Sequence, residues 1–154
     1  MTFARTFARL VAAGFGVGFV PAAAGTVASL VAVLTGAAMM MIWPPALPAA
    51  SLLAIFGGFL CVRAARIEGD PGWVVIDEFA GQWLALLALA QPSPKALLAA
   101  FVLFRLLDIA KPGPVGWADR HHGALGIMAD DVIAGIISAI LLLAMQWAWP
   151  QLLV

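Results

Sequence analysis

The chain has 154 residues, 64% of them hydrophobic and only 10% charged, and its eight basic and eight acidic residues cancel. A mean hydropathy of +1.06 lies far outside the range of soluble domains, because so few ionisable groups cannot coat a surface of this size. Zero net charge argues against a nucleic-acid partner held by phosphate neutralisation, and the lone cysteine, Cys61, rules out an internal disulfide and a cysteine metal site.

Residues 1 to 26 place Arg5 and Arg9 ahead of an apolar run that ends in Pro21-Ala22-Ala23-Ala24-Gly25, a pattern shared with cleavable secretory signals. Gly14, Gly16 and Gly18 weaken the continuous helix such a signal needs, so a short interfacial or re-entrant helix is expected instead. Val27 to Trp43 and Ala46 to Val62 carry no charge and are separated by Pro44 and Pro45, which predicts a helical hairpin. At ~1.5 Å per residue each stretch covers about 26 Å, enough for the hydrocarbon core. Phe79 to Ala90 and Ala96 to Ala110 are shorter, and the turn from Gln91 to Lys95, with two prolines, predicts a second hairpin. Val132 to Trp149 is a further long span, closed by Pro150. The expected fold class is all-α: a polytopic membrane helical bundle of about five transmembrane or membrane-embedded helices plus the short N-terminal helix, forming a single membrane-embedded domain over residues 1–154.

Threading five spans from a cytoplasmic N-terminus puts Arg5, Arg9, Arg63, Arg66, Arg105, Lys111 and Arg120 inside and leaves Lys95 alone outside, as the positive-inside rule requires. The same path puts every carboxylate inside: Glu68, Asp70, Asp77, Glu78, Asp108, Asp119, Asp130 and Asp131. That rule does not bind acids, so their convergence needs another cause, and a shared site at the cytoplasmic interface is a sufficient one.

Asp77 with Glu78, Asp108, and Asp130 with Asp131 are hard oxygen donors at the membrane ends of apolar helices, the donor class that suits magnesium beside a substrate phosphate. The alternative is capping, with Asp77 and Asp130 opening helices and complementing their dipoles; two adjacent acids at two such places exceed what a cap needs. Arg105, Asp108 and Lys111 are spaced by three and share one helical face until Pro112, which could hold a phosphate against a metal. The alternative there is a plain Arg105–Asp108 pair with Lys111 reaching for water. Gly25 and Thr26 could present backbone N–H groups to a phosphate, and His121 or His122 is a weaker candidate for a proton donor.

Several phosphatase chemistries are absent by inspection: no cysteine stands six residues ahead of an arginine, no Asp-x-Asp pair occurs, and neither histidine follows Ser-Gly. What survives is metal-assisted attack by water. A small transporter or channel subunit with an acidic cation-binding site is the alternative from another class, but it should carry acids along the membrane depth. A non-catalytic assembly protein has no need of so many interfacial acids.

The residues also resemble a known family. Gly25-Thr26 with Ser29-Leu30, Val75-Ile76-Asp77-Glu78-Phe79-Ala80-Gly81-Gln82, Phe104 to Pro114, and Gly123 to Gly126 followed by Ile127-Met128, Asp130-Asp131-Val132 and Ala134-Gly135 are together similar to phosphatidylglycerophosphatase A, a magnesium-dependent bacterial membrane enzyme. Ala28 and Gly113 depart from that pattern, where glycine and an aromatic residue are usual. The resemblance implies an all-helical protein of the inner (cytoplasmic) membrane, with a cytoplasmic site that hydrolyses the phospholipid phosphatidylglycerophosphate to phosphatidylglycerol and inorganic phosphate with Mg2+. The roles expected on that basis are metal ligation by Asp77, Glu78, Asp130 and Asp131, catalysis by Asp108 with Arg105 and Lys111, and substrate binding by Arg105, Lys111, Gly25 and Thr26.

Overall fold

A computed structural model describes residues 2–67, 69, 71–149, 151 and 153. The predicted Glu68 and Asp70 positions lie outside the described residues. Among these residues eight α-helices follow in order: α1 Phe3–Ala12, α2 Ala24–Ile42, α3 Ala46–Leu52, α4 Gly58–Ala64, α5 Ile76–Leu86, α6 Pro94–Ala110, α7 Pro114–Asp119 and α8 Gly123–Ala148. No strand occurs among the described residues. Their sequence explains their limits. α2 stops before Pro44-Pro45, and α6 starts where Ser93 Oγ accepts the Ala96 N–H at 3.1 Å with Pro94 in the first turn.

Among the described residues three helical stretches are long and apolar enough to cross a membrane: Ala24–Ile42, Ala46–Ala64 and Gly123–Ala148. The second is α3 and α4 joined through one π-helical turn at Leu53–Gly57. Their large aliphatic and aromatic side chains point outward, with Leu34, Leu53, Phe56 and Leu60 all exposed, which in water would be untenable and in lipid is the rule. Of the expected five or so embedded helices, these three have the length and hydropathy to span; α5 and α6, of 11 and 17 residues, are shorter. α5 is sheathed by α8, α2, α3 and α6 rather than turned to lipid. Eight of its residues are buried, Asp77 and Gln82 among them.

The N-terminal segment is a helix followed by a tight 3-10 turn, Gly14–Phe19, rather than a span. Val75 N–H donates to Ala12 O at 2.9 Å, Arg5 Nε donates to Ala65 O at 3.1 Å, and the Arg9 guanidinium stands 4.8 Å over the Trp73 ring. This segment therefore braces the chain just before α5. The core falls into two clusters, one joining α2, α4 and the start of α5, the other joining the end of α5 with α6, α7 and α8.

Helix direction sets where the functional groups meet. Trp83 Nε1 on α5 donates to Ala32 O on α2 at 2.9 Å, and Gln146 Nε2 on α8 donates to Ala88 O at 2.9 Å. Together with Gly25 beside Glu78 and Gly81 beside Gly135, these contacts make α2, α5 and α8 parallel. Their N-terminal parts share one end of the bundle, and α6, running the other way, delivers its C-terminal residues to that same end.

Candidate active site

The crossing of α5 over α8 is the point from which the site is built. A Cβ on Gly135 would lie 2.3 Å from Gly81 O and 2.8 Å from Gly81 Cα, and a Cβ on Gly81 would lie 2.4 Å from Asp131 O. Backbone touches backbone there, and only hydrogen in place of a side chain permits it. One helical turn earlier on each helix stand Asp77 and Asp131 (four residues before Gly81 and Gly135), so the close crossing carries the two carboxylates to the same level.

The acids then converge. Asp77, Glu78 and Asp131 can each present one carboxylate oxygen such that all three lie within 4.8 Å of one another, and Asp108, Asp130 and Asp131 form a second such group. Asp131 belongs to both, which joins α5, α6 and α8 into one acidic centre. Asp77, Asp130 and Asp131 are buried. Carboxylates packed this closely in a low-dielectric setting repel one another, and a cation or shared protons must offset that repulsion. The donors are all hard oxygens, so the set fits magnesium or a similar divalent ion better than a soft transition metal.

Capping accounts for only part of this arrangement. Asp77 and Glu78 do lie in the first turn of α5, and Asp77 Oδ1 accepts the Glu78 N–H at 3.1 Å. Asp130 and Asp131 are different, since α8 begins at Gly123, two turns before them, and not at Asp130 as the hydropathy pattern suggests. Helix-interior acids that are buried serve no end group.

The two cations take different partners: Arg105 one carboxylate and a hydroxyl, Lys111 two carboxylates. Arg105 Nη1 pairs with Asp108 Oδ2, and its Nη2 reaches Thr26 Oγ1 at 3.4 Å. Gly25 completes the corner: a Cβ there would lie 2.1 Å from Glu78 Oε1 and 3.4 Å from Arg105 Nη1. Gly25 and Thr26 thus meet Glu78 and Arg105 directly, a contact that the turn-like sequence Gly-Thr does not foretell. Lys111 departs from the face it was expected to share with Arg105 and Asp108. It follows the end of α6 in the left-handed region, φ +45°, ahead of Pro112, and this turns its ammonium away. Lys111 Nζ pairs with Asp119 and donates to Asp130 Oδ2 at 2.8 Å. Burial opposes its charge, but the hydrogen bonds and charges of Asp119 and Asp130 outweigh that penalty and hold the ammonium above the usual lysine range.

Asp119 and Gln82 were not among the residues singled out as functional. Asp119 reaches Lys111 across a Pro-x-Pro turn and the short α7, a relation with no helical periodicity to reveal it. His121 Nδ1 lies 3.1 Å from Trp117 O, its ring packs edge-on against Trp117 at 4.6 Å, and both histidines line a cavity of about 130 Å³ with Asp119 and Asp130.

With this geometry in hand, comparison with known proteins is decisive. The phosphatidylglycerophosphatase A family profile matches residues 10–146. The chain belongs to the phosphatidylglycerophosphatase A family. It is 41% identical over 145 residues to phosphatidylglycerophosphatase A of Escherichia coli K12, covering 92% of this chain and 84% of that one. It is 36% identical over 143 residues to phosphatidylglycerophosphatase A of Haemophilus influenzae, covering 90% and 88%. A Bacteroides thetaiotaomicron protein, named provisionally as a phosphatidylinositol-3-phosphatase, is 37% identical over 147 residues, covering 90% and 92%. No solved structure matches the chain significantly. The family match begins before Gly25 and ends after Asp131, so it spans the whole acidic centre of this chain.

Proposed function

We propose that this chain, as one membrane domain, hydrolyses phosphatidylglycerophosphate to phosphatidylglycerol and inorganic phosphate with the help of Mg2+, at the cytoplasmic face of the bacterial inner membrane. The observation that carries the reading is the pair of carboxylate groups sharing Asp131, assembled from three helices at one end of an apolar bundle. Asp77, Glu78, Asp130 and Asp131 would hold the ion, and bound there it would polarise the phosphoryl group and offset its charge. Arg105, fixed between Asp108 and Thr26, offers its remaining donors to phosphoryl oxygens. Asp108, a member of the acidic centre that also pairs with Arg105, would take the proton of the attacking water. Lys111 keeps Asp130 oriented and stands ready to share its charge with the incoming phosphate. The acyl chains stay against the exposed aliphatic helix faces, so only the headgroup enters the polar end.

The test is phosphate release from phosphatidylglycerophosphate in detergent or vesicles, with Mg2+ and then with chelator. Magnesium-dependent release supports the reading, and release unaffected by chelator would remove the metal from it. Running phosphatidylinositol 3-phosphate in parallel decides between the substrate classes named for the relatives. A chain that binds the ion yet releases no phosphate from either lipid would instead support a cation-handling membrane protein.

A further inference from the structure

Gln82 is fully buried on α5, and neither its Oε1 nor its Nε2 has a hydrogen-bond partner among the described residues. Leaving both ends of a carboxamide unpaired in an apolar bundle is costly for a residue that leucine could replace. One turn earlier on the same helix, Glu78 Oε2 is likewise buried and unpaired. Residues four apart on a helix are side-chain neighbours, with Cβ atoms about 5–6 Å apart. The two orphans are complementary, since the amide Nε2 donates and the carboxylate oxygen accepts.

The surroundings keep the two together. Glu78 Oε1 packs against Gly25 on α2, where the Arg105 guanidinium of α6 also arrives. Gly81, next to Gln82, is pinned by Phe104 and the Asp131 backbone. α2 runs parallel to α5, and Ser29, one turn past Gly25, is buried with its hydroxyl already given to Gly25 O at 2.8 Å. That hydroxyl proton is spent, so Ser29 offers Glu78 no donor, whereas the Gln82 amide is a neutral donor one turn along the same helix.

We infer that Gln82 is a positioning residue for Glu78: its amide holds the Glu78 carboxylate, directly or through one water, in the orientation that a divalent ion at the acidic centre requires. The inference rests on the proposed metal-dependent reading. Outer partners of metal-binding carboxylates are worth about 10–100-fold in metal affinity or activity, and this sets the expected effect. Gln82 contributes no charge, so it steadies Glu78 without weakening its attraction for a cation.

The experiment measures Mg2+ and Mn2+ binding to the purified full chain in detergent by calorimetry and by ion-dependent thermal shift, for the parent, Gln82→Met, Gln82→Leu, Glu78→Gln and the Gln82→Met/Glu78→Gln double variant. Methionine keeps the length and volume of glutamine, so a folded variant is available should leucine pack badly. Gln82→Met is expected to weaken ion binding about 10–100-fold, with melting in the absence of ion unchanged or higher. In the Glu78→Gln background the same replacement is expected to add nothing, because the group it positions is gone. Unchanged affinity in Gln82→Met, or additive effects in the double variant, overturns the inference alone. A parent that binds neither ion overturns it together with the metal-dependent reading.

Discussion

Asp131 is shared by both carboxylate groups and is almost entirely enclosed, so it is the residue whose charge the centre can least replace. Asp131→Asn keeps its size and removes one anionic oxygen. Phosphate release is expected to fall by more than about a hundredfold while membrane insertion and helical circular dichroism stay at parental values. Gly25→Ala separates folding from chemistry in another way. Its new methyl would meet the end of the Glu78 side chain and not backbone, so the carboxylate shifts and the fold is kept. Melting should change little, whereas a displacement of the carboxylate of about an ångström should lower turnover by about a hundredfold. Lys111→Met removes the partner of the buried Asp130 carboxylate and of Asp119, and a loss of about 1–2 kcal/mol in stability is expected after allowing for partial exposure of the ammonium. The sign of its pH dependence follows from the raised value. The folded protein holds this proton more tightly than the unfolded chain, so the stabilisation is fully present below the ordinary lysine value of about 10.4 and fades only as pH rises through the higher folded value. The difference in melting temperature between parent and variant should therefore be flat from about pH 6 to about pH 9.

At the scale of elements, the contact between α5 and α8 governs the site. Gly81→Ala and Gly135→Ala would each press a methyl onto backbone of the opposing helix, where no rotamer change gives relief. Both are expected to cost at least about 1–3 kcal/mol and to spread Asp77 from Asp131, so activity and thermal stability fall together. Gly57→Ala is the control: nothing lies within 4 Å of its new Cβ, and the variant should match the parent in both measurements. Gly81 and Gly135 stand within apolar helices, where a small residue permits close packing. The sequence does not reveal that they face each other, because two glycines in separate helices carry no pattern that pairs them. The start of α8 was hidden for a related reason. Gly123 to Ala129 is only moderately apolar beside the run that follows, so hydropathy placed the helix start at the acids, two turns late.

For the whole molecule, the outward aliphatic side chains and three membrane-length helices define a protein whose solvent is lipid. With Cys61→Ala as background, Lys95→Cys and His122→Cys place single thiols at opposite ends of the bundle, Lys95 entering α6 and His122 preceding α8. A membrane-impermeant maleimide applied to sealed inside-out vesicles is expected to label the thiol at 122 and spare that at 95, with the reverse in right-side-out vesicles. Labelling of both from one side would break the proposed cytoplasmic placement of the acidic centre. Composition and hydropathy were enough to establish an all-helical membrane protein, and the motif residues by themselves pointed to the family and its acidic positions, because lipid burial and chemical identity are written locally along the chain. Only the tertiary structure decided that Asp131 belongs to two carboxylate groups, that Lys111 turns away from Arg105 to Asp119 and Asp130, and that Gly25 meets Glu78. Those relations depend on helix direction, on one left-handed residue and on the closest approach of two backbones, and each is a distance between parts of the chain that local sequence does not encode.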